Sequence, residues 1–218
     1  MIRIFALVLC FRFTQALYAG DYFPANYQVS RRAFIEEVYK SKTTSAPVVE
    51  KFYVPSPIVK DTDLTVDYAY FPATESKKNL ILLVSGIHGP ETYAGAAVQM
   101  LFLKEYMPKV NFKNTGVIFI HALNPYGFKY HRRASENNVN LNRNFDVDQS
   151  LFQIENKGYE KLKELLEPQG PVKNRTTNSY STSAKLLAKI AFKQATVDEL
   201  TEAVARGQYK SAKGIEFG

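Results

Sequence analysis

The sequence has 218 residues, of which 45% are hydrophobic and 22% are charged, and its formal net charge is +7 at pH 7. These values are typical of a globular domain with a sizeable core and exclude a disordered chain. Acidic residues lie among the basic ones, and no zinc-finger or RNA-binding signature occurs, so no nucleic-acid partner is expected. The single cysteine, Cys10, excludes an intrachain disulfide and a cysteine-based zinc site.

Residues 1–19 have the layout of a secretory signal peptide. Arg3 precedes an apolar stretch from Ile4 to Phe11, and small residues follow near Ala16 and Ala19. The apolar stretch is too short to span a bilayer, so we expect no stable membrane insertion. A cleaved signal peptide predicts a secreted or periplasmic protein with a domain over residues 20–218. If this segment is instead a buried strand or helix, the cytoplasm is the expected location.

Strands and helices alternate along the next part of the chain. Helical spacing of apolar residues over 27–40 predicts a helix, with Ser30 as its cap, and proline-punctuated extended chain follows. The stretch LTVDYAYF (64–71) alternates like a strand, whereas NLILLVS (79–85) and GVIFIHAL (116–123) are continuously apolar, as in strands covered on both faces. A helix is predicted between them, from near Pro90 to about Tyr106. This order predicts an α/β three-layer sandwich, with a mixed, largely parallel sheet flanked by helices.

The chain after Phe145 is more polar. Two amphipathic helices are predicted at YEKLKELLEP (159–168) and SAKLLAKIAFKQA (183–195), separated by a loop over 169–182. The final stretch GQYKSAKGIEFG (207–218) has the character of a strand or loop entered midway. We therefore expect the sandwich to be incomplete at its C-terminus.

His88 and Glu91 are the first candidate site residues. His88 comes just after an apolar strand, in a turn with Gly86 and Gly89, and Glu91 falls in the first turn of the next helix. Ligands of α/β sheets bind outside the carboxyl ends of strands, and imidazole and carboxylate are both zinc ligands. The His-x-x-Glu spacing alone is frequent by chance, and the alternative is a strand, turn and helix that carry two polar side chains.

A second stretch, NPYGFKYHRRASENNVNLNRNFD (124–146), supplies groups that bind carboxylates. It contains Arg132 and Arg133 and then the pair Asn142 and Arg143. Guanidinium groups bind carboxylates through two parallel hydrogen bonds, and an asparagine adds a directed one. Zinc, an arginine at the reacting carbonyl and an Asn-Arg pair are what hydrolysis of a C-terminal peptide bond or an N-acyl amino acid requires.

The stretches GIHGPETYAG, NPYGF, RRASENNVNLNRNFD and GQYKSAKGI resemble the zinc carboxypeptidase superfamily over residues 21–218. The nearest branch is a bacterial group with a domain of unknown function, related to the aspartoacylase and succinylglutamate desuccinylase deacylases. The resemblance implies that His88 and Glu91 bind Zn²⁺, and that Asn142 and Arg143 hold the substrate carboxylate. It also implies that Arg133, or alternatively Arg132, polarises the scissile carbonyl.

The sequence departs from that family in its later part. The family takes a third zinc ligand from a downstream histidine and a catalytic glutamate from near the end of the domain, but no histidine follows His131. The chain is therefore expected to be either a truncated or a degenerate member. The alternative to a hydrolase is a non-catalytic module that binds peptides or carboxylates. We expect His121 to be a hydrogen-bonded core residue or to support the site, and His131 to lie on a loop.

Overall fold

The computed structural model describes residues 22–41, 43–44, 46–56, 61–167, 174–212, 214–215 and 217. The predicted signal peptide over residues 1–19 lies outside the described residues. Two compact units meet in the chain between Arg133 and Ala134. Each unit is described by itself.

The first unit contains a four-stranded sheet with the order β1-β2-β4-β3. Its strands are β1 (Val48–Tyr53), β2 (Thr65–Phe71), β3 (Asn79–Val84) and β4 (Thr115–His121). The α/β class with a mixed sheet and flanking helices is confirmed, but the prediction of a largely parallel sheet is wrong, because two of the three described strand pairings are antiparallel. Among the described strands β3 and β4 are parallel, whereas β2 is antiparallel to both β1 and β4. The parallel pair is the one joined through a helix, because a parallel pair needs a long crossover.

The described residues of this unit form the α-helices α1 (Tyr27–Lys40), α2 (Thr92–Leu101) and α3 (Pro125–Tyr130). The cap of α1 is Asn26, which accepts from the Val29 amide, whereas Ser30, the predicted cap, lies inside the helix and is buried. Helix α2 begins after Pro90 and continues as a π-helical segment (Phe102–Tyr106) and a 3-10 turn (Met107–Lys109). The predicted helical stretch is thus present with its ends shifted.

The core of the first unit lies against one face of the sheet. Alternate residues of β2 and β4 on this face pack against α1 and the π-helical segment, and the cluster includes Phe34, Val38, Ala69, Phe71, Leu103, Val117 and Phe119. The opposite face of β3 is different, since Leu80, Leu82 and Val84 are exposed. The expectation that β3 is covered on both faces is therefore wrong for the described residues, because Ile81 and Leu83 pack against the core whereas the side chains of the other face stay open to solvent.

The second unit is helical, with α4 (Lys157–Leu166), α5 (Arg175–Ala191) and α6 (Val197–Ala205). Two 3-10 turns precede them, at Leu141–Arg143 and Gln149–Gln153. Helix α5 begins inside the predicted loop, because Asn174 caps it by accepting from the Thr177 amide. The core consists of Tyr159, Leu162, Leu166, Ala195 and Ala203. None of the described helices has the length and apolar character that crossing a membrane requires.

Candidate functional site

The turn after β3 places His88 at the carboxyl end of the parallel strand pair. The segments that follow β3 and β4 stay hydrogen-bonded to each other beyond the strands. The Leu123 amide donates to the carbonyl of Ser85 at 3.0 Å, and the Asn124 amide donates to the carbonyl of Gly86 at 2.7 Å. Gly86 has a φ of 82°, which favours glycine, and this residue turns the chain towards His88. His88 therefore lies in a turn just after the end of a strand, as predicted.

His88 and Glu91 are brought together by this turn. The imidazole Nδ1 of His88 lies 3.0 Å from Oε2 of Glu91, and the His88 side chain is 8% exposed whereas that of Glu91 is 66% exposed. The hydroxyl of Thr92 donates to the main-chain carbonyl of His88 at 3.1 Å, which fixes the turn against the start of α2. An imidazole nitrogen and a carboxylate oxygen thus face each other near the surface.

This spacing is compatible with a shared cation. Two atoms that are each about 2.0–2.2 Å from a tetrahedral zinc ion lie roughly 3.3–3.6 Å apart. The Nδ1 of His88 and Oε2 of Glu91, at 3.0 Å, would need to separate by only a few tenths of an ångström. The two residues therefore fit the role of neighbouring ligands.

Arg133 lies on the other oxygen of the same carboxylate. Its Nη1 is 3.3 Å from Oε1 of Glu91, and both side chains are largely exposed. Arg132 is also exposed, and its main chain is fixed because its carbonyl accepts from the Gly89 amide at 3.2 Å. The structure thus places Arg133 beside the His88–Glu91 pair, while Arg132 joins the same loop through its backbone.

Asn124 connects the segments that carry these side chains. It is buried, and its Nδ2 lies 3.4 Å from the carbonyl oxygen of Ile87 and 3.3 Å from that of Arg133. Its Oδ1 accepts from the Gly127 amide at 2.8 Å and caps α3. One side chain therefore links the His88 turn, the Arg133 segment and the start of α3.

Gly89 and Gly127 let two main chains meet directly. A Cβ atom added to Gly89 would lie 1.9 Å from the carbonyl carbon of Gly127, and one added to Gly127 would lie 2.5 Å from the carbonyl oxygen of Arg132. Both obstacles are backbone, which cannot move aside as a flexible side chain does. These two positions of the HGPE and NPYGF stretches therefore require glycine.

His121 belongs to a buried polar network and not to the surface site. Its Nδ1 lies 2.8 Å from Oε1 of Gln99 and its Nε2 lies 3.2 Å from the hydroxyl of Ser30. Gln99 in turn accepts from the hydroxyl of Ser85 at 2.9 Å. Burial, together with the charge of Arg31, lowers the pKa of His121 to about 3, so the imidazole is neutral at physiological pH. The interpretation as a hydrogen-bonded core histidine is confirmed.

His131 is exposed at the end of α3, as expected for a loop residue. It adopts a left-handed backbone conformation, and its ring stacks on that of Tyr93 with 5.8 Å between the ring centroids. Nothing in this contact indicates a ligand role.

Asn142 and Arg143 lie in the second unit, in the 3-10 turn Leu141–Arg143. Asn142 is exposed, and Arg143 is half-buried. The guanidinium Nη2 of Arg143 donates to the carbonyl of Ala205 at 2.6 Å, which satisfies a carbonyl at the end of α6. The hydroxyl of Tyr209 donates to the main-chain carbonyl of Arg143 at 2.7 Å. The arginine is therefore held in place by groups of its own unit.

The comparison with protein families yields one match. A family model described as "Protein of unknown function (DUF2817)" matches residues 23–218. The chain belongs to the DUF2817 family. No curated protein matches it. The match covers both units and contains every predicted site residue of this DUF2817 chain, and the family description assigns no activity.

Only two candidate metal ligands, His88 and Glu91, come together among the residues of this DUF2817 chain whose placement is described. No group of three or more His, Cys, Asp or Glu side chains there is arranged to hold a metal ion. In the sequence, no histidine follows His131 that could join this pair. A catalytic zinc site normally has three protein ligands, so the pair by itself is an incomplete set.

Asn124 is a residue of this site that sequence reasoning missed. In the sequence it is only the first residue of an Asn-Pro turn. Its buried position and its three hydrogen bonds appear only when strands β3 and β4 are placed side by side. The sequence does contain one signal for a role of Asn124 in the site. Asn124 follows shortly after the second apolar strand, as His88 follows the first, so both lie at the carboxyl ends of neighbouring strands.

Proposed function

We propose that this protein is a zinc-dependent hydrolase of the carboxypeptidase superfamily, which cleaves a peptide or acyl-amino-acid amide bond next to a free carboxylate. The observation that supports this most directly is the approach of His88 Nδ1 to Glu91 Oε2, at 3.0 Å, beside the guanidinium of Arg133. The site combines a buried imidazole, an exposed carboxylate and an arginine at the end of a parallel strand pair. Such a combination is suited to amide hydrolysis.

Each residue has a distinct role in this proposal. His88 and Glu91 hold Zn²⁺, which when bound activates water and polarises a carbonyl. Arg133 stabilises the negative charge that develops on the carbonyl oxygen, and Arg132 is the alternative for this role. Asn142 and Arg143 bind the free carboxylate of a peptide or an N-acyl amino acid.

The test is metal analysis of the purified protein together with hydrolysis of N-acyl amino acids and short peptides. We expect bound zinc, and we expect His88→Ala and Glu91→Gln each to lower zinc occupancy by at least about tenfold. His131→Ala is the matched control, because this histidine is exposed and stacks on Tyr93. Absence of zinc, combined with unchanged hydrolysis by His88→Ala, would refute the proposal.

A second candidate function is a non-catalytic module that binds peptides or carboxylates. This function is favoured because only two candidate metal ligands, His88 and Glu91, come together among the described residues. A catalytic zinc site normally has three protein ligands. Calorimetry with C-terminal peptides, with and without a chelator, separates the two functions. Binding that the chelator leaves unchanged, without turnover, supports the module, whereas chelator-sensitive turnover supports the hydrolase.

A further inference from the structure

Gln99 is a buried polar residue of α2 that the proposed chemistry does not use. The residue is 2% exposed. Its amide Nε2 donates to the main-chain carbonyls of Leu83 in β3 and Ile120 in β4, both at 3.0 Å. One side chain of the helix is therefore bonded to both strands of the parallel pair, near their carboxyl ends.

The neighbours of this side chain fix the orientation of its amide. Main-chain carbonyls only accept hydrogen bonds, so the amino group must face the two strands. On the other side, Oε1 accepts from the Ser85 hydroxyl at 2.9 Å and lies 2.8 Å from Nδ1 of His121. An amide oxygen cannot donate, so Nδ1 of the neutral His121 carries the proton, and its Nε2 accepts from the Ser30 hydroxyl at 3.2 Å. Both donors and both acceptor positions of the Gln99 amide are thus occupied.

These contacts determine where α2 lies relative to the strands. His88 follows β3 and Glu91 is the N-cap of α2, so the two candidate ligands belong to different elements. The hydroxyl of Thr92 ties the beginning of the helix to the His88 turn, and Gln99 ties its later part to the strand ends. A helix that is fixed at two points along its length cannot pivot about either of them.

Gly95 shows how closely α2 approaches the segment before the His88 turn. A Cβ atom added to Gly95 would lie 3.0 Å from Cβ of Ser85. Carbon atoms pack at about 3.5–4.0 Å, so one of the two segments would have to move. A displacement of α2 is therefore transmitted to the chain that leads to His88.

We propose that Gln99 is a positioning residue, which sets the separation of His88 and Glu91 by clamping α2 to the ends of β3 and β4. This inference rests on the proposed function in taking His88 and Glu91 as the zinc ligands. Gln99 acts on both ligands only through the placement of the helix.

The first test is zinc affinity, measured by competition with a chromophoric chelator. Gln99→Met keeps the length of the side chain but removes its four hydrogen bonds. We expect zinc to bind at least about tenfold more weakly to this variant, which is the loss typical of residues that orient metal ligands. Gly95→Ala is a second variant, because alanine favours a helix but its Cβ displaces α2 from Ser85, and it should weaken zinc binding in the same direction.

Two control variants separate positioning from a general loss of stability. Val38→Ala creates a cavity in the core of the same unit without removing a hydrogen bond. Ser30→Ala removes the far end of the polar network and leaves the bonds of Gln99 to both strands intact. Both should lower the free energy of unfolding in urea, yet change zinc affinity by less than about threefold.

The second test needs no metal and measures the tautomer of His88 in the zinc-free protein by nitrogen NMR of the ring. A carboxylate only accepts, so the contact with Glu91 at 3.0 Å requires the proton on Nδ1 of His88. In mildly alkaline solution, where ordinary histidines are neutral, we expect Gln99→Met and Gly95→Ala to lower the fraction of this tautomer, whereas Val38→Ala should keep it. Glu91→Ala gives the reference value for His88 without its carboxylate.

Zinc affinity and a His88 tautomer that are unchanged in Gln99→Met would overturn the inference, as would equal losses in Val38→Ala. Gly95→Ala decides in its place if Gln99→Met does not fold. If the unmodified protein binds no zinc, the hydrolase is rejected and the tautomer alone decides the role of Gln99. If zinc binds equally well to Gln99→Met, the positioning role fails and the hydrolase stands, so the two failures are distinguishable.

Discussion

The side-chain amide of Asn124 donates to the main-chain carbonyl of Arg133, with 3.3 Å between the two atoms. Because Asn124 also contacts the carbonyl of Ile87, it holds the segment before His88 against the segment that carries the arginine. The relative positions of imidazole and guanidinium thus depend on one buried side chain that touches neither group. Asn124 is a positioning residue for the proposed site.

Replacing Asn124 by Ala should destabilise the protein. The substitution removes the cap of α3 and leaves buried backbone groups without their partner, which costs about 1–3 kcal/mol in the free energy of unfolding. Urea denaturation measures this change. Asn137→Ala is the control, since Asn137 is exposed and donates to the neighbouring Glu136, and it should change the free energy by less than about 0.5 kcal/mol. Equal stability of the two variants would contradict the role of Asn124.

The buried His121 should make stability depend on pH in the acidic range. Its pKa is lowered from 6.5 to about 3 in the folded protein, because burial disfavours the charged imidazolium. Between these values the unfolded chain binds a proton that the folded protein does not bind. The contribution of His121 is therefore fully present above pH 6.5 and decreases as the pH falls towards 3, by up to about 1.4 kcal/mol per pH unit.

Denaturant unfolding between pH 7 and 4 tests this expectation. The variant His121→Gln should have a shallower slope of unfolding free energy against pH than the unmodified protein. His131→Gln, at an exposed position, should retain the original slope. An identical slope in His121→Gln would show that other groups cause the acid dependence.

Lys129 should contribute more to stability than an exposed lysine in a comparable ion pair. Its Nζ contacts both Asp61 and Asp63, and the Tyr130 hydroxyl donates to Asp61 at 2.8 Å. Burial by itself lowers the pKa of Lys129, but the two carboxylates raise it above its ordinary value. Its stabilising effect is therefore fully present at neutral pH and is lost only in strongly alkaline solution.

Replacing Lys129 by Met leaves the buried Asp61 carboxylate without its cation, and we expect a loss of about 1.5–3 kcal/mol in unfolding free energy. The control is Lys113→Met, whose partner Glu75 forms an exposed pair with it at 2.9 Å. Exposed pairs contribute about 0–1 kcal/mol. A loss in Lys129→Met no larger than that in Lys113→Met would refute the expectation.

Local pattern was sufficient to predict several elements. The helix over 27–40 and the apolar strands around 79–84 and 115–121 follow from periodicity, and all three are present. The turn that joins His88 to Glu91 was also predictable, because Gly86 permits the backbone conformation that the turn needs. These features depend on residues that are neighbours in the sequence.

Features that depend on distant residues were not predictable. Ser30 is a suitable helix cap by composition, but its hydroxyl contacts His121, which is remote in the sequence. The continuously apolar strand β3 indicates burial on both faces, yet only the face that carries Ile81 and Leu83 packs on the core, and Leu82 is exposed. The start of α5 was missed because the residues before 183 are polar and favour a loop, whereas the helix begins at the Asn174 cap. No third ligand for the proposed zinc site is found among the described residues.

The contact between Gly89 and Gly127 has a consequence for how the proposed site can move. With no side chain between them, the two backbones are in direct contact, and a close-packed interior transmits displacement instead of absorbing it. The His88 turn and α3 should therefore shift as one rigid body, so that in the proposed site the exposed side chains of Glu91 and Arg133, by changing rotamer, determine access to the imidazole.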